Sequence, residues 1–300
     1  MAYGLQTYQD SSRKEDLLDL IMDASPDDNP LSTMFGTTSA TQTLHEWVED
    51  FLARPTSVSA AVEGADATYA DLDQPQRRNN VTQVITQTFK VSDSEREVAV
   101  AGGQDPYEYQ AAKALRAWKN NLEYAIIRST RASGSSGVAR KMSGIQAIVT
   151  SHATARASGT SLSETEFNDM VFDVANDVGS QDVFDMVVTT LKLRQAISNF
   201  TGGSTKYVDA SDKKLTRPVA VYESDYGVHR IFGHKDVNAG LNTSAVLGLK
   251  EDSWKIAYLR KPKRTDLAKV GDSSNGQIVG EATLEFRTER ANAQRTGYLA

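Results

Sequence analysis

The sequence predicts an α+β protein with projections, on three observations. Residues 105–131 carry one long helical pattern. Two stretches of strand formers flank a polar segment between residues 42 and 91, and after residue 142 helix and strand signals alternate at short spacing.

Residues 1–11 lack periodicity and read as an extended arm. Ser12 and Glu15 form a capping box ahead of Leu17, Leu20, Ile21 and Ala24, which predicts a short helix ending before Pro26. Strand formers fill residues 42–52 and 80–91. In the second stretch Val81, Ile85, Phe89 and Val91 fall on one side, with Thr82, Val84, Thr86 and Thr88 on the other. Residues 54–78 between them are small and polar, with Gly64 and Pro75. The two stretches make a two-stranded ribbon, which is marginal alone because it cannot bury a face of its own. The ribbon is expected to need a partner surface, which another subunit can supply.

The long helix has a marked start. Asp105 caps it, Pro106 occupies the first helical position, where its missing N–H is no loss, and Glu108 follows three residues after the cap. Ala111, Leu115, Trp118, Leu122, Ala125 and Ile126 recur at steps of three and four on one stripe. Glycine and serine in residues 132–137 end it. At full length it is on the order of 40 Å long, which suits a strut. Residues 142–148 predict a strand. Ser163 and Glu166 form another capping box before Phe167, Met170, Val171, Val174 and Val178, with Gly179 as the stop. A buried strand is expected at 186–189, a helix at 191–200, a loop at Gly202 and Gly203, and two strands around a turn at 225–227. Further strand signal lies in 254–259 and 280–288.

Three hundred residues suffice for one large or two ordinary domains. Zero cysteines exclude disulfides, thiolate nucleophiles and cysteine zinc sites. No apolar run reaches the length of a membrane helix, and the first residues resemble neither a signal peptide nor a basic presequence, so the chain is expected to stay where it is made, without a membrane partner. The net charge of −6 is unevenly spread. Residues 1–75 hold fourteen acidic and three basic side chains, leaving 25 acidic and 30 basic in the remainder. The acidic quarter could lie on the basic remainder, or simply be solvated. Overall acidity argues against a sequence-independent grip on DNA.

Catalytic patterns are absent or broken. His45-Glu46-Trp47-Val48-Glu49 starts like a metalloprotease helix, but glutamate stands where the second imidazole belongs. His229 and His234 lie five apart in an expected hairpin, on opposite faces of an extended strand, and read as structural. Residues 271–276 read as a turn and not as a nucleophile loop. The carboxylate pairs Asp27/Asp28 and Asp71/Asp73 sit in polar loops, and no phosphate-binding loop or dinucleotide fingerprint occurs. Neither a cofactor nor a metal is therefore expected. Lys255, Arg260, Lys261, Lys263, Arg264 and Lys269 form the one basic concentration, with only Trp254 and Tyr258 as aromatics. It reads as a protein contact or a solvated face ahead of nucleic acid.

The order of elements resembles the major capsid proteins of tailed bacteriophages. The likeness is carried by residues 23–31 (DASPDDNPL), Glu46-Trp47, Leu52-Ala53, Glu63-Gly64, Asn80, Val91-Ser92, residues 140–145, 222–227 (YESDYG), 267–272 (LAKVGD) and 279–285 (VGEATLE). It implies an N-terminal arm (1–40), an E-loop ribbon (41–92), a P-domain (93–182) with the spine helix 105–131, an A-domain (183–245) and a P-domain return (246–300). It further implies a non-enzymatic subunit that assembles as hexamers and pentamers into an icosahedral virion shell enclosing double-stranded DNA. Such a subunit is made in the host bacterial cytoplasm and contacts packaged DNA non-specifically. Scaffolding, portal and cement proteins are the other partners implied. Contacts between subunits are expected at Arg54, Glu63, Asp66, Arg77 and Arg78 of the ribbon and at Lys261, Lys263 and Arg264 of the basic cluster. Some family members link an E-loop lysine to an asparagine; residues 15–89 contain no lysine, so this loop cannot donate one. No helical scaffolding segment precedes the arm, so scaffolding is expected to be separate or cleaved away. Another self-assembling virion part, a tail tube or baseplate component, is the alternative. A soluble hydrolase with an unfamiliar site is a third.

Overall fold

The computed structural model describes residues 29–50, 58, 60, 62–66, 74–98, 105–179, 182–200, 220–237, 244–269 and 271–299. The expected arm 1–11, the helix before Pro26, Arg54, the two aspartate pairs and the loop at Gly202 lie outside them. The elements are α1 (Pro30–Met34), β1 (Gly36–Ser39), β2 (Leu44–Glu49), β3 (Gln76–Val81), β4 (Gln83–Ser92), α2 (Asp93–Glu97), α3 (Pro106–Arg128), α4 (Ile145–Ile148), β5 (Ala153–Thr160), α5 (Glu164–Val178), β6 (Met186–Thr189), α6 (Leu191–Ser198), β7 (Ala220–Ser224), β8 (Gly227–Gly233), β9 (Ser244–Leu249), β10 (Trp254–Leu267), β11 (Ser273–Phe286) and β12 (Ala293–Tyr298).

Two sheets organise two cores. The four-stranded sheet runs β1-β10-β11-β4 and is crossed by α3; the six-stranded sheet runs β5-β12-β9-β6-β8-β7 and is covered by α5. The first core gathers Ile85, Phe89, Trp118, Leu122, Ile126, Trp254, Ile278 and Leu284. The second gathers Phe167, Met170, Val171, Val174, Phe184, Val187, Ile231 and Val246.

α3 forms for the reasons its sequence gives, with three differences. Asp105 caps by accepting from Tyr107 N at 2.9 Å, while Glu108 reaches Arg264 instead of closing a capping box. Leu115 is exposed, and Ala114 takes its place on the buried face. The helix ends at Arg128, not 131; Gly134 and Gly137, both at positive φ, shape a small hairpin closed by Ala132 and Lys141. α5 keeps its full capping box and its glycine stop.

Residues 142–148 are a correction: a four-residue helix, α4, stands where a strand was expected. Gly144 explains the change. A Cβ there would come 2.7 Å from Ala125 O and 2.8 Å from Ile126 O, so the chain turns directly against the end of α3. The stretch 80–91 also divides. Residues 80–81 end β3 in the ribbon, and β4 then enters the four-stranded sheet. β10 and β11 are far longer than their sequence signals, pairing from Trp254↔Phe286 to Leu267↔Asn275. Ser273 to Gly276 therefore belong to β11, which confines the expected turn to the residues before them.

Candidate assembly surfaces

The ribbon is β2 against β3, from Leu44↔Val81 to Glu49↔Gln76. Strand alternation sends His45, Trp47 and Glu49 to one face and Leu44, Glu46 and Val48 to the other. The inward face grips this chain's own body, so part of the partner surface that the ribbon was expected to need comes from within the chain. His45 Nε2 lies 2.9 Å from Glu285 Oε2, and the Trp47 ring meets Phe286 edge-on at 5.0 Å. Glu49 accepts from Glu289 N at 3.3 Å and from Arg78 Nε at 2.7 Å. Asn80, fully buried, pins the ribbon's base by donating to Leu284 O at 2.8 Å and accepting from Ser143 N at 2.9 Å. The outward face stays uncovered, with Val48 67% exposed and Leu44 40%. One face is thus spent within the chain and one is offered.

At the far end of the long strands, Tyr107 collects charge. Its hydroxyl donates to Asp266 at 2.7 Å, and Arg96 and Arg264 lie 5.3 and 5.0 Å from its ring centre. Arg264 also pairs with Glu108 at 2.8 Å, Arg96 with Asp105 at 3.0 Å, and Lys269 with Asp93 at 2.7 Å. These contacts fix protonation. The Tyr107 hydroxyl, then Arg264, hold Asp266 below the usual carboxylate range, and Arg96 does the same for Asp105. Lys269 and Ser274 lower Asp93, burial raises Tyr107, and Glu108 raises Arg264.

Midway along β11, Glu281 is 3% exposed and accepts from Thr82 Oγ1 at 2.6 Å, Arg140 Nη2 at 2.7 Å and Arg260 Nε at 3.1 Å. It ties the hairpin after α3 to both long strands. Nothing in its sequence neighbourhood marks it, because its partners stand 21 to 199 positions away.

The expected contact residues fall into three groups. Arg54 lies outside the described residues. Glu63 and Asp66 sit exposed around a turn at Gly64, Arg77 is an exposed β3 residue 3.7 Å from Glu46, and Lys261 and Lys263 project from β10 where its register with β11 slips. Arg78 and Arg264 are engaged by this chain's own Glu49, Glu108 and Asp266. Sequence reasoning missed His45, Trp47 and Glu49 as the ribbon's anchor, although the alternation in LHEWVE carries the signal. The other histidines serve separate networks. His229 lies 2.8 Å from both Phe184 O and Ser224 Oγ, with burial holding its pKa below the usual range. His234 Nδ1 accepts from Asp236 N, and its Nε2 faces Glu123 at 3.4 Å.

Comparison with known proteins gives one consistent result. The family model of the SU10 major capsid protein matches residues 2–298. The major capsid protein of Escherichia phage Phieco32 is 23% identical over 336 residues, spanning 95% of this chain and 94% of that protein. Among solved structures the fold is similar to the Cyanophage A-1(L) capsid asymmetric unit, with TM-score 0.67, 12% identity and 98% of each chain covered. It is also similar to the capsid of the native GTA particle computed with C5 symmetry, with TM-score 0.66, 11% identity and 98% and 97% coverage. The fold is that of tailed-phage capsid subunits, and the matching family is structural, not enzymatic. With the match running over nearly its whole length, this chain belongs to the SU10 major capsid protein family.

Proposed function

We propose that copies of this chain close into rings of five and six that build an icosahedral shell around double-stranded DNA. The observation that supports this best is the two-faced ribbon: one face anchored by His45, Trp47 and Glu49, the other carrying exposed Leu44 and Val48. A neighbouring subunit is the natural cover for that second face, since individually modest contacts become strong when closed symmetry repeats them. The four-stranded sheet with α3 serves as the P-domain and the ribbon as the E-loop. The six-stranded sheet with α5 and α6 serves as the A-domain, a reading supported by its own core and one that takes in β5, α5 and β12 beside the 183–245 expected from sequence. Glu63, Asp66, Arg77, Lys261 and Lys263 are the charged groups placed to meet a neighbour. Arg78 and Arg264 act by holding their own elements in position. Synthesis in the host cytoplasm and help from scaffolding, portal and cement proteins complete the reading.

Replacing residues 51–73 with a short Gly-Ser turn keeps β2, β3 and their anchor. The truncated protein is expected to fold with an unchanged circular dichroism spectrum and to form no closed shells under the electron microscope. Normal shells from it would show that residues 51–73 are not needed for assembly and leave only the β2–β3 face to make the contact, and tubes or open rings from the unaltered chain would favour a tail or baseplate part.

A further inference from the structure

Glu123 of α3 stands where three parts of the chain meet, and two of them compete for the same oxygen. Its Oε1 accepts from Leu31 N and its Oε2 from Ser32 N, each at 2.8 Å, so both oxygens hold the start of α1. On its other side lies His234, which follows β8 and leads into a single 3₁₀ turn, Lys235–Val237. The His234 Nε2 atom is 3.4 Å from that same Oε1. Both residues are fully buried.

Only one of the two ring nitrogens is satisfied. Nδ1 accepts from Asp236 N at 3.1 Å, so the neutral ring carries its proton on Nε2. That N–H has no hydrogen-bond partner among the described residues, although a carboxylate stands beside it. A buried donor left unpaired is unfavourable, and the acceptor that would satisfy it is turned toward α1.

The two competitors are unequally anchored. The turn after β8 is held firmly: His234 N donates to Thr189 O at 2.7 Å, Val237 is fully buried in the same core as Trp118, and Val237 O accepts from Gln146 Nε2 of α4 at 3.4 Å. α1 has only five residues, seated by Leu31 and Phe35 in that core, by Glu123, and by Asn29 against Asn120 at 2.8 Å. A short element with few anchors opens locally at far less cost than global unfolding.

We propose that Glu123 is a two-position latch. With α1 seated, the carboxylate caps that helix; when α1 lifts, it turns to the His234 Nε2–H and clamps the turn after β8 to α3. Seating of α1 and clamping of the six-stranded unit therefore oppose each other, and linkage makes the coupling run in both directions. The bistable element is the Glu123 side chain, which each end biases with an N–H donor. The coupling belongs to the single chain and stands whether or not copies close into a shell.

Hydrogen exchange of the full-length chain at constant pH, resolved to single amides, tests the latch from both ends. His234→Asn keeps an acceptor near the Nδ1 position and removes the Nε2–H, so the open arrangement loses its replacement bond. Exchange at Leu31 and Ser32 should then slow about tenfold, the worth of one hydrogen bond to a carboxylate, while Asp236 stays protected. His234→Gln keeps a donor near the Nε2 position and should leave Leu31 and Ser32 near their original rates, with Asp236 losing protection. From the other end, Leu31→Ala loosens α1 and should slow exchange at Asp236 and Val237, because Glu123 then turns more often to His234. A histidine that only fills space predicts unchanged or faster exchange at Leu31 and Ser32 in His234→Asn, and at Asp236 and Val237 in Leu31→Ala. Either result would overturn the latch, as would equal slowing in His234→Gln, which assigns the effect to loss of the ring and not of the donor. Should circular dichroism show that His234→Asn does not fold, Leu31→Ala decides alone.

Discussion

Trp118→Ala should lower the free energy of unfolding by roughly 3–5 kcal/mol, measured by urea denaturation. Trp118 is 2% exposed, and it is one of the side chains through which α3 holds the long strands. Its Nε1 donates to Ile85 O at 2.9 Å, and its ring lies on Gly280, where an added Cβ would stand 2.5 Å from Cζ2. The substitution therefore empties a large apolar site and removes a buried hydrogen bond together. Gly280→Ala should cost about 1–3 kcal/mol by overpacking the same contact. Because the two residues touch, the double variant should be less destabilised than the sum of the singles, the shrunken residue 118 making room for the new methyl group. Strict additivity would show that the contact does not hold α3 to the sheet.

Glu123→Ala should cost a comparable amount, roughly 3–5 kcal/mol, through a different mechanism. Helix α1 begins at Pro30, and Asn29 supplies no side-chain cap. The N–H groups of Leu31 and Ser32 would be orphaned at a buried helix start if the Glu123 carboxylate, 92 and 91 residues away, did not accept from both at 2.8 Å. Losing it strands two donors and leaves His234 facing a void. Hydrogen exchange locates the damage: the amides of Leu31 and Ser32 should lose protection in Glu123→Ala, with Glu123→Gln intermediate because one acceptor remains. Unchanged protection at those amides would refute the capping role.

These two residues show where the sequence was legible. Trp118 falls on a stripe of period 3.6, and its burial follows from spacing alone. Glu123 occupies the same helix one step off that stripe, where a carboxylate reads as solvated, and only the approach of α1 makes it interior. The same limit governs the strands. β6 announces itself as Met186-Val187-Val188-Thr189, buried throughout, whereas the second half of β10 (KPKRTDL) is mostly charged, contains a proline and lacks alternation, and is held extended by pairing with β11. Residues 142–148 are apolar and short enough to suit either strand or buried helix, and the close approach of Gly144 to α3 decides it. The ribbon's strands were readable, but its anchor depends on Glu285, Phe286 and Glu289, some 240 residues along the chain. The capsid family was legible through residues spread over the chain, not through any one site, as befits a protein whose work is distributed over its surface.

The central claim is that this subunit is completed by copies of itself. Electron microscopy of the purified full-length chain, concentrated near neutral pH, addresses it most directly. The account predicts closed particles whose surface resolves into rings of five and six, with density from one subunit's ribbon covering its neighbour. A uniform population of single 32.7 kDa chains at the same concentration would contradict it.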